Sequence, residues 1–153
     1  MWSFGVHDVA VLLVLAGESP DQIEAWGHAA ITPGVEDDTY LHLGFPSGVK
    51  ATLHNSWLWP RMERELIVGG EKGMLVFDEA GSKVVMHHKV VDLEGNHHDR
   101  GEEILFEGSA QPLRLELEHF LQCCRERKGP VSDGRNGFET VRVLEEAEKV
   151  MRK

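Results

Sequence analysis

The sequence predicts an α+β fold in which strands and helices are segregated along the chain, and three observations carry that expectation. An apolar run opens the chain at residues 9–16, period-two segments separated by turn signals fill its middle, and two helical stripes close it. Together they predict one open, mostly antiparallel sheet of about six or seven strands with three helices on one face. A length of 153 residues suits a single α+β domain with a sizeable core, spanning residues 1–153.

The first helix rests on Val9, Leu12, Leu13, Leu15 and Ala16, apolar on most sides and so expected to be buried. Gly17-Glu18-Ser19-Pro20 reads as its stop. No Lys or Arg precedes the apolar run and Asp8 borders it, which argues against a secretory signal peptide. The run is also too short to cross a bilayer. Gln22 to Ile31 is a plausible strand. Thr39 to Phe45 alternates in period two, with Leu41, Leu43 and Phe45 on one face. After the turn signal Pro46-Ser47-Gly48, the segment Val49 to Trp57 sets Val49, Ala51, Leu53 and Trp57 against Lys50, Thr52, His54 and Ser56, completing an antiparallel hairpin.

Glu63 to Val68 and Met74 to Phe77 form a second hairpin across the glycine-rich Gly69-Gly70-Glu71-Lys72-Gly73. Ala80-Gly81-Ser82 turns into a strand from Lys83 to Met86, a polar stretch runs from Gly95 to Gly101, and a short strand follows at Ile104 to Phe106. Pro112 suits a first helical turn. Leu113, Leu117, Phe120, Leu121 and Cys124 trace a helical stripe that Gly129-Pro130 stops. Ser132 to Gly137 reads as a loop, and Phe138, Val141, Leu144, Ala147 and Met151 mark the last amphipathic helix.

With three helices on one side, the sheet's other face carries Tyr40, His42, Lys50, Thr52 and His54, with tryptophans as further, unspecified candidates. That face is too polar for a core and too rich in rings for bare surface, which suits an interface or a cavity wall. The net charge is −10, and residues 1–60 hold seven acids against one base. An acidic chain without a basic stripe predicts no nucleic-acid partner and no anionic membrane surface. Cys123 and Cys124 are adjacent in a helical pattern and offer no disulfide framework, as in a cytoplasmic protein.

His7 and Asp8 are the candidate catalytic residues. A histidine in the first turn of a helix meets the positive end of the backbone dipole, and a neutral imidazole there suits proton exchange with a hydroxyl or carbonyl. The alternative is a histidine bonded to nearby backbone. Asp8 suits the first turn electrostatically whatever its chemistry. His87-His88 and His97-His98 lack partner cysteines at metal-ligand spacing, and the first pair lies on a strand where neighbours face opposite ways, so no metal site is expected. Trp57-Leu58-Trp59-Pro60 suits either a sugar-stacking platform or edge packing. Residues 69–73 lack the GKS/T ending of a phosphate loop, and no G-x-G-x-x-G or G-x-S-x-G occurs.

The order of motifs resembles the C-terminal domain of the glucose–fructose oxidoreductase/inositol dehydrogenase (Gfo/Idh/MocA) family. The pieces are Trp2-Ser3-Phe4-Gly5-Val6-His7-Asp8 with its helix and Gly17, then Phe45-Pro46-Ser47-Gly48-Val49 with Ser56-Trp57 and Pro60. Leu66 to Gly73, Glu116 to Leu121, Ser132-Asp133-Gly134 and Val143 to Ala147 complete the set, from Trp2 to about Met151. The resemblance implies a dihydrodipicolinate-reductase-like C-terminal domain. It implies an NAD- or NADP-dependent oxidoreductase acting on a sugar, inositol or sugar derivative.

In that family a Rossmann domain holds the dinucleotide and a catalytic lysine. The open sheet serves substrate binding and homo-oligomerisation, and a histidine at the position of His7 often transfers a proton. Many members carry an aspartate four residues before that histidine, where this chain has Ser3. The dinucleotide-binding domain is expected to be absent from residues 1–153, so this chain alone is not expected to bind the cofactor. A stand-alone dimerisation or ligand-binding module is the alternative.

Overall fold

The structure, a computed structural model, describes residues 1–61, 63–109 and 111–152. Its elements are α1 (Gly5–Ala16), β1 (Gln22–His28), β2 (Asp38–Gly44), β3 (Lys50–Ser56), β4 (Glu65–Gly70), β5 (Gly73–Asp78), β6 (Lys83–Val91), β7 (His97–Glu107), α2 (Pro112–Glu126) and α3 (Gly134–Met151). The α+β class and the antiparallel strands are as the sequence predicts. The pairing differs: among the described residues the strands form a three-stranded sheet, β1-β2-β3, and a four-stranded sheet, β4-β5-β6-β7, rather than one. Pro60 has no N–H to give a ladder and lies in the stretch that separates β3 from β4.

The chain divides into two compact units, Met1–Pro60 with Phe120–Lys153, and Arg61–His119. In the first unit α1 and α3 pack on each other and on the three-stranded sheet. Strict alternation in β2 turns Leu41 and Leu43 inward, where they meet Leu53 of β3, Val9 and Leu13 of α1, and Val143, Leu144 and Ala147 of α3. Asp133 caps α3, its Oδ1 accepting from the N–H groups of Arg135 and Asn136, both at 2.9 Å. Gly17, at φ 69°, ends α1 by donating its N–H to Leu13 O. Helix α1 is buried on one side only. Val9 and Leu13 face the core, whereas Val11, Val14 and Leu15 are exposed.

Strand β1 stops at His28, short of the expected Ile31. The N–H groups of Ala30 and Ile31 donate instead to the Asp37 carboxylate at 3.1 and 2.7 Å, which folds the chain back toward β2. These bonds hold the Asp37 carboxyl below its ordinary range.

The second unit is an antiparallel meander with Leu66, Phe77, Val84 and Phe106 in one cross-strand row. The hairpin at residues 69–73 is as expected. Gly73 sits at φ 143°, and a Cβ there would run into the carbonyl of His87. Strands β6 and β7 are far longer than the predicted segments, and cross-strand pairs of polar side chains join their polar halves. Lys89 meets Asp99 at 3.1 Å, and His87 and His88 lie 3.5 and 3.6 Å from Glu102 and Glu103. Ile67, Phe77, Ile104 and Phe106 remain exposed. Among the described residues, no helix is long and apolar enough to cross a membrane.

Candidate functional site

The mouth of α1 is built by anchors that reach it from three directions. Asn55, at the inward-facing end of β3, donates from Nδ2 to Asp8 Oδ2 at 2.7 Å. Trp2 Nε1 donates to Glu148 of α3 at 3.2 Å, and Phe4 packs on Trp57 with ring centroids 4.6 Å apart. Gly5 fits against β3 because it has no side chain; a Cβ there would lie 3.0 Å from Asn55 Oδ1.

His7 is the third residue of this fixed helix, and its side chain is exposed, as is that of Asp8. The His7 backbone N–H donates to Phe4 O at 3.0 Å. Among the described residues its imidazole makes no hydrogen bond, and none joins it to Ser3. The helix therefore presents a free imidazole on a rigid base, a geometry able to exchange a proton with a bound hydroxyl. Asp8 is differently placed, since one of its oxygens is spent on tying α1 to β3.

A second constellation lies on the sheet face opposite the helices. Trp26, Tyr40 and His54 are cross-strand partners on β1, β2 and β3. Their rings stack in sequence, Trp26 on Tyr40 at 5.3 Å and Tyr40 on His54 at 4.1 Å, and Trp59 meets His54 edge-on at 5.2 Å. His54 Nε2 bonds Asp38 Oδ1 at 2.8 Å, and His42 Nδ1 shares a 2.8 Å bond with Thr52 Oγ1. The His54 bond is the main reason that the Asp38 carboxyl lies below its ordinary range.

The open face thus carries Tyr40, His42, Thr52 and His54 as the alternation predicts. Trp26, Asp38 and Asn55 were missed as site residues. The outward set Glu24, Trp26 and His28 was the available signal for the first. Asn55 had none, because its position belongs to the core face by alternation alone. Trp57 and Trp59 serve different neighbours, so the two do not make one stacking platform. His98 bonds Asp92 at 2.8 Å, and among the described residues no three His, Cys, Asp or Glu side chains come together to hold a metal ion.

Residues 1–76 match the family model of the GFO/IDH/MocA C-terminal domain. None of the curated proteins matches the chain. Among solved structures it is similar to the UDP-N-acetylglucosamine 3-dehydrogenase GnnA from Acidithiobacillus ferrooxidans. The identity is 20% and the TM-score 0.82, over 95% of this chain and 45% of that one. It is also similar to an aldose-aldose oxidoreductase from Caulobacter crescentus in complex with glycerol, at 24% identity and TM-score 0.72, over 97% of this chain and 44% of that one. A proposed oxidoreductase from Magnetospirillum magnetotacticum MS-1 shares 29% identity at TM-score 0.76, over 94% of this chain and 47% of that one. The chain spans less than half the length of each of these structures.

Proposed function

The chain belongs to the GFO/IDH/MocA family, whose C-terminal domain its residues 1–76 match, and from that premise we propose that it is the substrate-binding and oligomerisation domain of an NAD- or NADP-dependent oxidoreductase. The substrate class is a sugar, an inositol or a sugar derivative. Support for that class comes from the UDP-N-acetylglucosamine dehydrogenase and the aldose-aldose oxidoreductase whose folds it shares.

The residues of this chain do not fit a dinucleotide. No G-x-G-x-x-G is present to seat a pyrophosphate at a helix N-terminus. The cofactor therefore belongs to a separate Rossmann domain, as in the family. This chain's own part in the chemistry is the proton. The exposed imidazole of His7, without a hydrogen bond among the described residues, on an anchored helix mouth is the observation that carries the reading. It would take the proton of the substrate hydroxyl, while the hydride on the same carbon would go to the oxidised NAD or NADP that the separate domain would hold, leaving a carbonyl. Asp8, the next residue, keeps α1 in place through its bond from Asn55. Pairing of two copies through the ring-bearing sheet face and a cytoplasmic location complete the proposal.

The test is His7→Ala in the two-domain enzyme. Turnover falls about 10²–10⁴-fold, the usual contribution of a positioned acid–base group, while dinucleotide affinity stays unchanged. Near-normal turnover would make His7 a structural residue only.

A further inference from the structure

Helix α1 begins without a side-chain cap. Phe4 stands at the capping position, where its ring accepts no bond from the N–H groups that Ser, Thr, Asp or Asn would satisfy. The N–H groups of Gly5 and His7 donate back to Met1 O and Phe4 O, so the turn is closed by backbone alone. A first turn held this way frays more readily than a capped one. His7 lies in it, and its imidazole is only as well placed as the turn is.

Asn55 closes the same turn from outside the helix. Its Nδ2 donates to Asp8 Oδ2 at 2.7 Å, and its Oδ1 lies against Gly5, where a Cβ would come within 3.0 Å of it. One amide therefore touches both ends of Gly5-Val6-His7-Asp8. Asn55 is itself held by the sheet: it pairs with Thr39 of β2, whose Oγ1 donates to Asn55 O at 3.4 Å. Trp57, two residues on, packs on Phe4, and its N–H donates to Asp37 O at 2.8 Å.

We propose that Asn55 is a positioning residue for His7, doing from β3 what a capping side chain would do within the helix. The proposal rests on the proton-transfer reading of His7 above. Proton transfer requires the two heavy atoms within hydrogen-bond reach, so a turn that rocks by an ångström slows the step without weakening binding. An amide suits the place. It donates to the Asp8 carboxylate at charge-assisted strength, whereas a carboxylate at 55 only accepts and an alanine does neither.

Steady-state kinetics of the two-domain enzyme test this, with glucose, myo-inositol and UDP-N-acetylglucosamine as probe substrates and the nicotinamide cofactor saturating. Asn55→Ala and Asn55→Asp each lower kcat about tenfold to a hundredfold, the scale of a small misplacement, with KM within about threefold of the unchanged enzyme. Asn55→Asp combined with Asp8→Asn rebuilds the bond with donor and acceptor exchanged, and kcat recovers to within about threefold. In a His7→Ala background Asn55→Ala causes no further loss, because the group it positions is gone. Full turnover in Asn55→Ala and Asn55→Asp, beside an impaired His7→Ala, overturns the proposal and leaves the function of His7 standing. A swapped pair no better than Asn55→Asp alone also overturns it. Full turnover in His7→Ala overturns both readings.

Discussion

Asn55 Nδ2 lies 2.7 Å from Asp8 Oδ2, so the last inward side chain of β3 holds the first turn of α1. This bond is charge-assisted and joins residues 47 apart in sequence. Asn55→Ala therefore costs about 1–2 kcal/mol of folding stability in urea denaturation. Asn55→Asp costs more, because it sets two carboxylates against each other. Equal stability of all three proteins would mean that the bond does not fix the helix.

Leu144 is fully buried among Val9, Leu43 and Val143, so Leu144→Ala opens a cavity in the first unit's core and costs about 2–5 kcal/mol. Leu15 on the outer side of α1 is 57% exposed, and Leu15→Ala changes the stability of this chain by less than about 0.5 kcal/mol. A large loss at Leu15 would show that α1's outer side is covered in solution.

Asp92 closes the turn between β6 and β7. Its carboxyl is lowered from 3.8 to about 2, first by the bond from His98, then by bonds from the Asn96 side chain and the N–H groups of Asn96 and Glu94. A depressed acid contributes its stabilisation above the unfolded value and loses it as pH falls through the folded one. The turn is therefore intact above about pH 4 and loosens progressively toward about pH 2. A carbon-detected NMR titration of the Asp92 carboxyl checks this, and an ordinary midpoint would contradict the bonding.

Asp38 gives a parallel measurement on the open face. Its carboxyl is lowered chiefly by the His54 bond, so His54→Gln raises the Asp38 midpoint toward the ordinary value. The direction is fixed: removing a partner that favours the charged form makes the acid easier to protonate. An unchanged midpoint in the variant would assign the shift to Ser56 and His28 instead.

Much of this fold was legible from periodicity. The alternation of Leu41 and Leu43 against Tyr40 and His42 gave both the core face and the open face of β2. The helical stripe of Leu144 and Ala147 gave α3's buried side. What escaped the sequence reading was set by long-range or polar interactions. The separation into two sheets depends on which edges find partners, and alternation within a strand does not encode that. The polar ends of β6 and β7 have no apolar period, and polar pairs such as Lys89–Asp99 join them. Helix α3 begins at Gly134 because Asp133 caps it, although Gly134 and Gly137 made that stretch read as a loop. At the site, His7 was found from its place at a helix start, whereas Asn55 became visible only when β3 and α1 were brought together.

Calorimetric titration of residues 1–153 with NADH and NADPH tests the central claim most directly. If this chain is the substrate-side domain of a two-domain dehydrogenase, neither dinucleotide binds it at micromolar concentration, since its sequence holds no G-x-G-x-x-G. Saturable heat with a micromolar dissociation constant would contradict that division of labour.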